Sequence, residues 1–182
     1  MAEGDCRVEI GYEVLSQSLL ADEVMEILNL SERHYATSLE MQLLDCTRHL
    51  RQTTYSRMIH SGWDLLRFSI ASSLLAMGFR SATAKQIGTD IVEALAGELD
   101  LGGDLDDVDL PFLISGEIGG CVLEDHADGE MARTAHMTGV LVTALAETLN
   151  ALVLYLSVTD SCPPEVFRYH KNQDRLVRKL FV

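Results

Sequence analysis

The residues best suited to chemistry in this chain lie along one strip of one long segment. Between Val140 and Val158 the sequence is apolar at fourteen of nineteen positions, and its polar side chains are not scattered. His136, Thr143, Glu147, Asn150 and Ser157 recur at near-multiples of the helical repeat. On a helix turning about 100° per residue they share a sector of roughly 80°, with Gly139 on the same strip. Glu147 and Asn150 fall one turn apart, a carboxylate and an amide able to act as paired hydrogen-bonding groups. Such a strip is either the one solvent-facing edge of a central helix or a polar seam turned toward a cleft or a partner. His136 and Glu147 lie about three turns apart and cannot form one acid–base pair along this helix.

A second group, Glu124, Asp125, His126, Asp128 and Glu130, followed by Arg133 and His136, is dense in hard oxygen and imidazole ligands. Its order is not that of a calcium-binding Asp-x-Asp-x-Asp-Gly loop. The chain also lacks His-Glu-x-x-His and the Glu-x-x-His pairs of di-iron helices. The 124–136 cluster therefore reads as a solvated acidic loop, with no metal and no cofactor expected. Asp45 and His49, four residues apart with Cys46 between them, would set two ligands on one face if that segment is helical. Asp104, Asp106, Asp107 and Asp109 read as a hydrated linker. Nucleophilic catalysis has no motif to stand on: Gly-x-Ser-x-Gly, a glycine-rich phosphate loop and Ser-x-x-Lys are all missing.

Three short stretches resemble known families. Glu147-x-x-Asn150 is similar to the Glu-x-x-Asn pair of some response-regulator phosphatases, where the two side chains position a water. Small helical ribonucleases of prokaryotic toxin systems carry an Arg followed four to six residues later by His. Arg57 to His60, Arg133 to His136 and Arg168 to His170 are all shorter than that. Gly62-Trp63, opening an apolar run, resembles the Trp-containing start of the central helix in the Bcl-2 family, which implies a groove beside Trp63 that binds amphipathic helices. The family's Asn-Trp-Gly-Arg order is absent.

The elements that must carry these residues are read as helices. Leu15, Leu19, Leu20, Val24, Ile27 and Leu28 recur at helical spacing and predict a helix over 11–29. Ser31 is a good N-cap for a second, with Tyr35, Leu39, Leu43, Cys46 and Leu50 in a stripe running toward residue 60. Trp63 to Met77 is apolar in almost every direction, as for a helix surrounded by protein, and Gly78 is its natural stop. Ser81 restarts a helix carrying Ile87, Ile91, Val92, Leu95 and Leu99. Leu110 to Val122, spotted with Gly116, Gly119 and Gly120, predicts a short irregular helix. A long helix over 129–158 and an amphipathic C-terminal helix after Pro163-Pro164 complete the chain. The expectation is an all-α fold, a single-domain bundle of six or seven helices over 1–182. Residues 1–6 form a frayed end, 100–109 an acidic loop, and 159–164 a break before the last helix.

Length, composition and charge bound the function classes. The 182 residues are 47% apolar and 23% charged, which excludes wholesale disorder. The four cysteines, Cys6, Cys46, Cys121 and Cys162, form no CxxC pair and match neither a zinc ribbon nor a disulfide framework, as for thiols in a reducing, cytoplasmic setting. The first 30 residues carry seven acids and one Arg, with no basic start before an apolar run. Met137 to Val158 is long enough to span a bilayer, but Glu147 and Asn150 near its middle argue for a buried helix, so no membrane span is expected. Net charge is −14, a poor match for coating nucleic acid.

The charge is unevenly spread. Residues 94–130 hold eleven acids and no Lys or Arg, whereas Arg48, His49, Arg51, Arg57 and His60 form a basic island free of acids. The last helix adds Arg168, His170, Lys171, Arg175, Arg178 and Lys179 against Glu165 and Asp174, and then ends Leu180, Phe181, Val182. This basic, apolar-ended terminus reads as a docking surface for another protein or a second copy, through Arg168, Lys171, Arg175, Arg178, Lys179, Leu180 and Phe181. A nucleic acid is not expected as sole partner. The favoured function is a non-enzymatic protein acting through protein–protein interaction, as a subunit, adaptor, chaperone or immunity or regulatory factor. The alternatives are a metal-binding or hydrolytic enzyme using the strip or the 124–136 cluster, and a Bcl-2-like binder of amphipathic helices.

Overall fold

The run after Ser61 has no polar face, and the structure encloses it. In the computed structural model, which describes residues 12–45, 48–52, 55–100, 108–122 and 130–159, the chain is mostly helical. In order the elements are α1 (Tyr12–Leu15), β1 (Leu19–Leu20), α2 (Ala21–Ile27), α3 (Glu32–Glu40), β2 (Arg48–Gln52), β3 (Tyr55–His60), α4 (Gly62–Ala76), α5 (Ser81–Asp100), α6 (Leu110–Val122) and α7 (Glu130–Thr159). Helix α4 packs on α5 and α7, and α6 packs on both of those. Leu65, Leu66, Ile70 and Leu74 of α4 meet Ile87, Ile91 and Leu95 of α5 and Leu141, Leu145, Leu149 and Leu152 of α7 in one hydrophobic cluster.

Two close approaches bind α4 to its neighbours. A Cβ on Gly62 would come within 3.0 Å of the Leu15 carbonyl oxygen and of Leu152, and one on Gly88 within 3.1 Å of the Arg67 carbonyl oxygen. The helix stops as its sequence predicts. Gly78 takes φ +93°, and the amides of Gly78 and Phe79 turn back to the carbonyls of Leu75 and Leu74.

Two expected helices are not continuous. The predicted 11–29 helix breaks into α1, β1 and α2, because Leu19 and Leu20 pair with His60 and Ile59 of β3. The helix begun at Ser31 is capped as expected, Ser31 Oγ accepting from the His34 amide at 3.3 Å, but it ends at Glu40 rather than near residue 60. Its end is the same returning cap as that of α4. Gln42 sits at φ +54°, and the amides of Gln42 and Leu43 reach the Leu39 and Ser38 carbonyls. Beyond it, Arg48–Gln52 and Tyr55–His60 form an antiparallel pair from Arg48↔Ile59 to Gln52↔Tyr55, giving a sheet of order β1-β3-β2. The pairing of Asp45 with His49 on one helix face fails with that helix. Asp45 instead meets Lys85 of α5 at 3.3 Å.

The sheet hands the chain to α4 through buried polar groups. His60, fully buried, places Nδ1 2.7 Å from the Asp45 carbonyl oxygen and Nε2 2.7 Å from the Tyr35 hydroxyl. A carbonyl can only accept, so the proton lies on Nδ1, and in the neutral ring Nε2 accepts from Tyr35. The next residue, Ser61, caps α4. The Ser61 amide and hydroxyl both donate to Asp64 Oδ2, at 2.8 and 2.9 Å, while Asp64 Oδ1 takes a bond from Arg67 at 3.2 Å. Asp64 is 3% exposed, so its charge depends on these donors.

The short segment Leu110–Val122, expected to be irregular, is a continuous helix. Asp109, read from sequence as hydrated linker, caps it by accepting from the Phe112 amide at 3.1 Å. The frayed end 1–6, most of the acidic loop and the C-terminal helix lie outside the described residues.

Two substitutions test these caps and bonds in chemical denaturation. Tyr35→Phe strands a buried histidine nitrogen and lowers stability by about 1–3 kcal/mol. Gln42→Gly relieves a left-handed residue and raises stability by roughly 0.5–1 kcal/mol.

Candidate functional site

Helix α7 realises the predicted strip. His136, Gly139 and Glu147 are exposed, and Thr143 and Asn150 are half-buried, while Leu141, Leu145, Leu149, Leu152 and Leu156 on the opposite side are buried. Ser157 lies where side chains are not described. The strip is the outward edge of the helix, and it is less polar than the spacing alone suggests. Thr143 folds its hydroxyl onto the Gly139 carbonyl at 2.8 Å, and Leu154, 47% exposed, stands in the middle of the same sector. Ala135–Leu156 is long and apolar enough to cross a membrane, with a hydropathy of 1.7, and half of that stretch is buried inside the structure.

One margin of the strip borders an open cleft of about 380 Å³, walled by the end of α2, by α4 and by α7. Its apolar surface comes from Ile27, Leu28, Phe68, Ala144 and Ala151. Its polar atoms come from Asn29, Ser69, Ser72, Ser73, Glu147 and Thr148. The sequence fixes these positions simply. Ser69, Ser72 and Ser73 fall three and four residues apart on α4, so they share a face, and Ala144, Glu147, Thr148 and Ala151 repeat that spacing on α7. Small residues on both helices leave the gap. Asn29 stands where α2 ends, at φ +50°, with the Leu30 amide turned back to the Met25 carbonyl at 2.8 Å.

The hydroxyls in the cleft are linked. Thr148 Oγ1 donates to the Ala144 carbonyl at 2.9 Å and lies 2.5 Å from Ser69 Oγ, and Ser73 Oγ donates to the Ser69 carbonyl at 2.9 Å. Thr148 is 6% exposed. Glu147, the strip residue on the cleft margin, is exposed and carries no ion pair or hydrogen bond to another described residue. Asn150 is not among the lining residues, so the Glu147/Asn150 pair is split between the cleft and the outer edge.

A third polar contact ties α2 to α7. Glu23 accepts from the Leu20 amide at 2.6 Å through one carboxylate oxygen and from the Tyr155 hydroxyl at 3.1 Å through the other. Burial first, then the hydrogen bond to Glu23 and the charges of Glu23 and Glu26, raise the Tyr155 hydroxyl above the ordinary tyrosine range.

The other predicted site residues are not brought to this cleft. Trp63 is buried against Tyr12, ring centroids 5.3 Å apart, with its indole N–H donating to Ser16 Oγ at 3.0 Å, and it does not line the cleft. Among the described residues no group of three His, Cys, Asp or Glu side chains is arranged to hold a metal ion. Residues 124–129 of the acidic cluster lie outside them, as do Arg168, Lys171, Arg175, Arg178, Lys179, Leu180 and Phe181. Sequence reasoning missed Asn29, Ser69, Ser72, Ser73 and Thr148. Their only sequence signal is the recurrence of small hydroxyl residues at helical spacing on α4. No family model, curated protein or solved structure matches this chain.

The Glu23–Tyr155 contact predicts a pH dependence. An unfolded tyrosine loses its proton near pH 10, and the folded Tyr155 loses it higher. The stability from this shift is therefore complete below about pH 10 and is lost as pH rises through the folded value. Tyr155→Phe removes that component. In urea titrations the variant is the less stable below pH 10, and the gap to the parent narrows above it.

Proposed function

We propose that the chain is a non-enzymatic, intracellular helical domain, folded as one bundle over 1–182, that works by binding another protein or a second copy of itself. The observation that carries this reading is Phe112. It is 77% exposed at the first turn of α6, beside exposed Pro111, inside the 94–130 stretch that holds eleven acids and no Lys or Arg. A large exposed aromatic ring within an acidic stretch of sequence complements a surface that is basic and apolar together. The segment 164–182 has that character, with five Lys and Arg against two acids and a Leu-Phe-Val end. Two copies could thus satisfy each other, or a partner could carry the matching surface. Single exposed ion pairs contribute only about 0–1 kcal/mol each, so the apolar residues Phe112, Leu180 and Phe181 must supply most of the affinity.

The metal-binding and hydrolytic alternative rests on residues 124–136. Elemental analysis of the purified protein, with His126 and His136 intact and replaced, tests it separately. The Bcl-2-like alternative is tested by saturable binding of amphipathic-helix peptides.

Deleting residues 165–182 abolishes complex or dimer formation in size-exclusion and pull-down assays while the far-ultraviolet helix signal is largely retained. Phe112→Glu gives the same loss with the terminus intact. Unchanged elution and capture by both variants would refute the reading.

A further inference from the structure

We propose that the cleft between α2, α4 and α7 binds a primary alkylammonium group, with its ammonium head at Glu147 and the α4 hydroxyls and its aliphatic chain along Phe68 and Leu28.

The direction of each hydroxyl hydrogen carries this. A threonine hydroxyl has one hydrogen, and that of Thr148 goes to the Ala144 carbonyl at 2.9 Å. In the 2.5 Å contact between Thr148 and Ser69, the hydrogen must therefore belong to Ser69. Ser73 has spent its own on the Ser69 carbonyl at 2.9 Å. Three lining hydroxyls have thus turned their hydrogens into the protein, leaving only lone pairs for a ligand. Glu147 adds a carboxylate that no described cation neutralises, and no Lys, Arg or His lines the cleft.

The Ser69, Ser73, Thr148 and Glu147 side of the cleft is thus rich in acceptors, while Ser72 and the Asn29 amide keep donors of their own. The Glu147 charge, with no cation in the lining, disfavours phosphates and carboxylates. The acceptor-rich side suits an ammonium group, whose three hydrogens point in different directions and which accepts nothing. The remaining lining is apolar and suits methylenes. A volume of about 380 Å³ lies at the small end of ligand sites, room for a short alkyl chain rather than a large ring system. Phe112 is not among the residues that line the site.

The same chemistry occurs in a free diamine and in a lysine side chain, and titration calorimetry at low salt separates the two sources. The probes are 1,4-diaminobutane, n-butylamine, Nα-acetyl-lysine N-methylamide, n-butanol and butyrate. Saturable binding of the amines is expected, with no binding of n-butanol or butyrate. Tighter binding of the diamine assigns the site to a free amine, and tighter binding of the lysine derivative assigns it to a lysine of a partner. Glu147→Gln, at an exposed position, should leave thermal unfolding unchanged and weaken amine binding about fivefold, the size of a partly exposed ion pair. Ser73→Ala should weaken it further when combined with Glu147→Gln. Absence of saturable amine binding, equal binding of n-butanol, or unchanged amine affinity in Glu147→Gln overturns the proposal.

Discussion

The burial of His60 is the constraint on which the architecture depends. An imidazole with two polar nitrogens cannot be taken fully out of water unless both are bonded. Meeting that requirement draws three separate stretches together: Tyr35 from α3, the Asp45 backbone beyond it, and the end of β3. Once His60 is held, Ser61 is placed to cap α4, and the Ser61–Asp64–Arg67 bonds start that helix in a buried setting. Everything packed on α4, including the faces of α5 and α7, takes its position from that start. The polar junction contributes little net stability compared with the leucine and isoleucine cluster it adjoins. It contributes direction, because apolar packing alone would tolerate several registers between sheet and helix.

The parts of the fold legible in the sequence are those where one local pattern has only one interpretation. Trp63 to Met77 is apolar all round, Gly78 stops it and Ser81 restarts the chain, and the structure follows each signal. The long apolar helix also stands where its composition puts it. The failures lie where a pattern fits two structures. Leu15, Leu19, Leu20 and Val24 suit a helix face, yet Leu19 and Leu20 are claimed by a strand forty residues away. Residues 48–60 lack a clean alternation of apolar and polar side chains, so nothing local marks them as strands. A left-handed cap at Gln42, where glycine is the usual signal, hides the end of α3.

The site was legible in outline only. Periodicity revealed the strip on α7 because a repeat of 3.6 residues is written directly in the sequence. It did not reveal that Glu147 faces a cleft while Asn150 does not, since that depends on where α4 lies. Ser69, Ser72 and Ser73 read as small spacers among apolar residues. The value of Ser69 and Ser73 comes from hydrogen direction, set for Ser69 by a partner threonine seventy-nine positions away and for Ser73 by the Ser69 carbonyl. The leucine in the middle of the strip, Leu154, belongs to an apolar run when read along the chain and to the surface when read around the axis.

That double character of α7 matters during synthesis. As it leaves the ribosome, the 22-residue stretch from Ala135 to Leu156 meets the length and apolarity that insertion machinery selects. Glu147, midway along it, makes transfer into lipid costly by about 2.5–3.5 kcal/mol on insertion scales. Chain order supplies the competing destination, because α4 and α5 are translated before α7 and can offer it an apolar face as it emerges. A single carboxylate thereby shifts the balance of transfer energies between lipid and protein interior for the same run of residues.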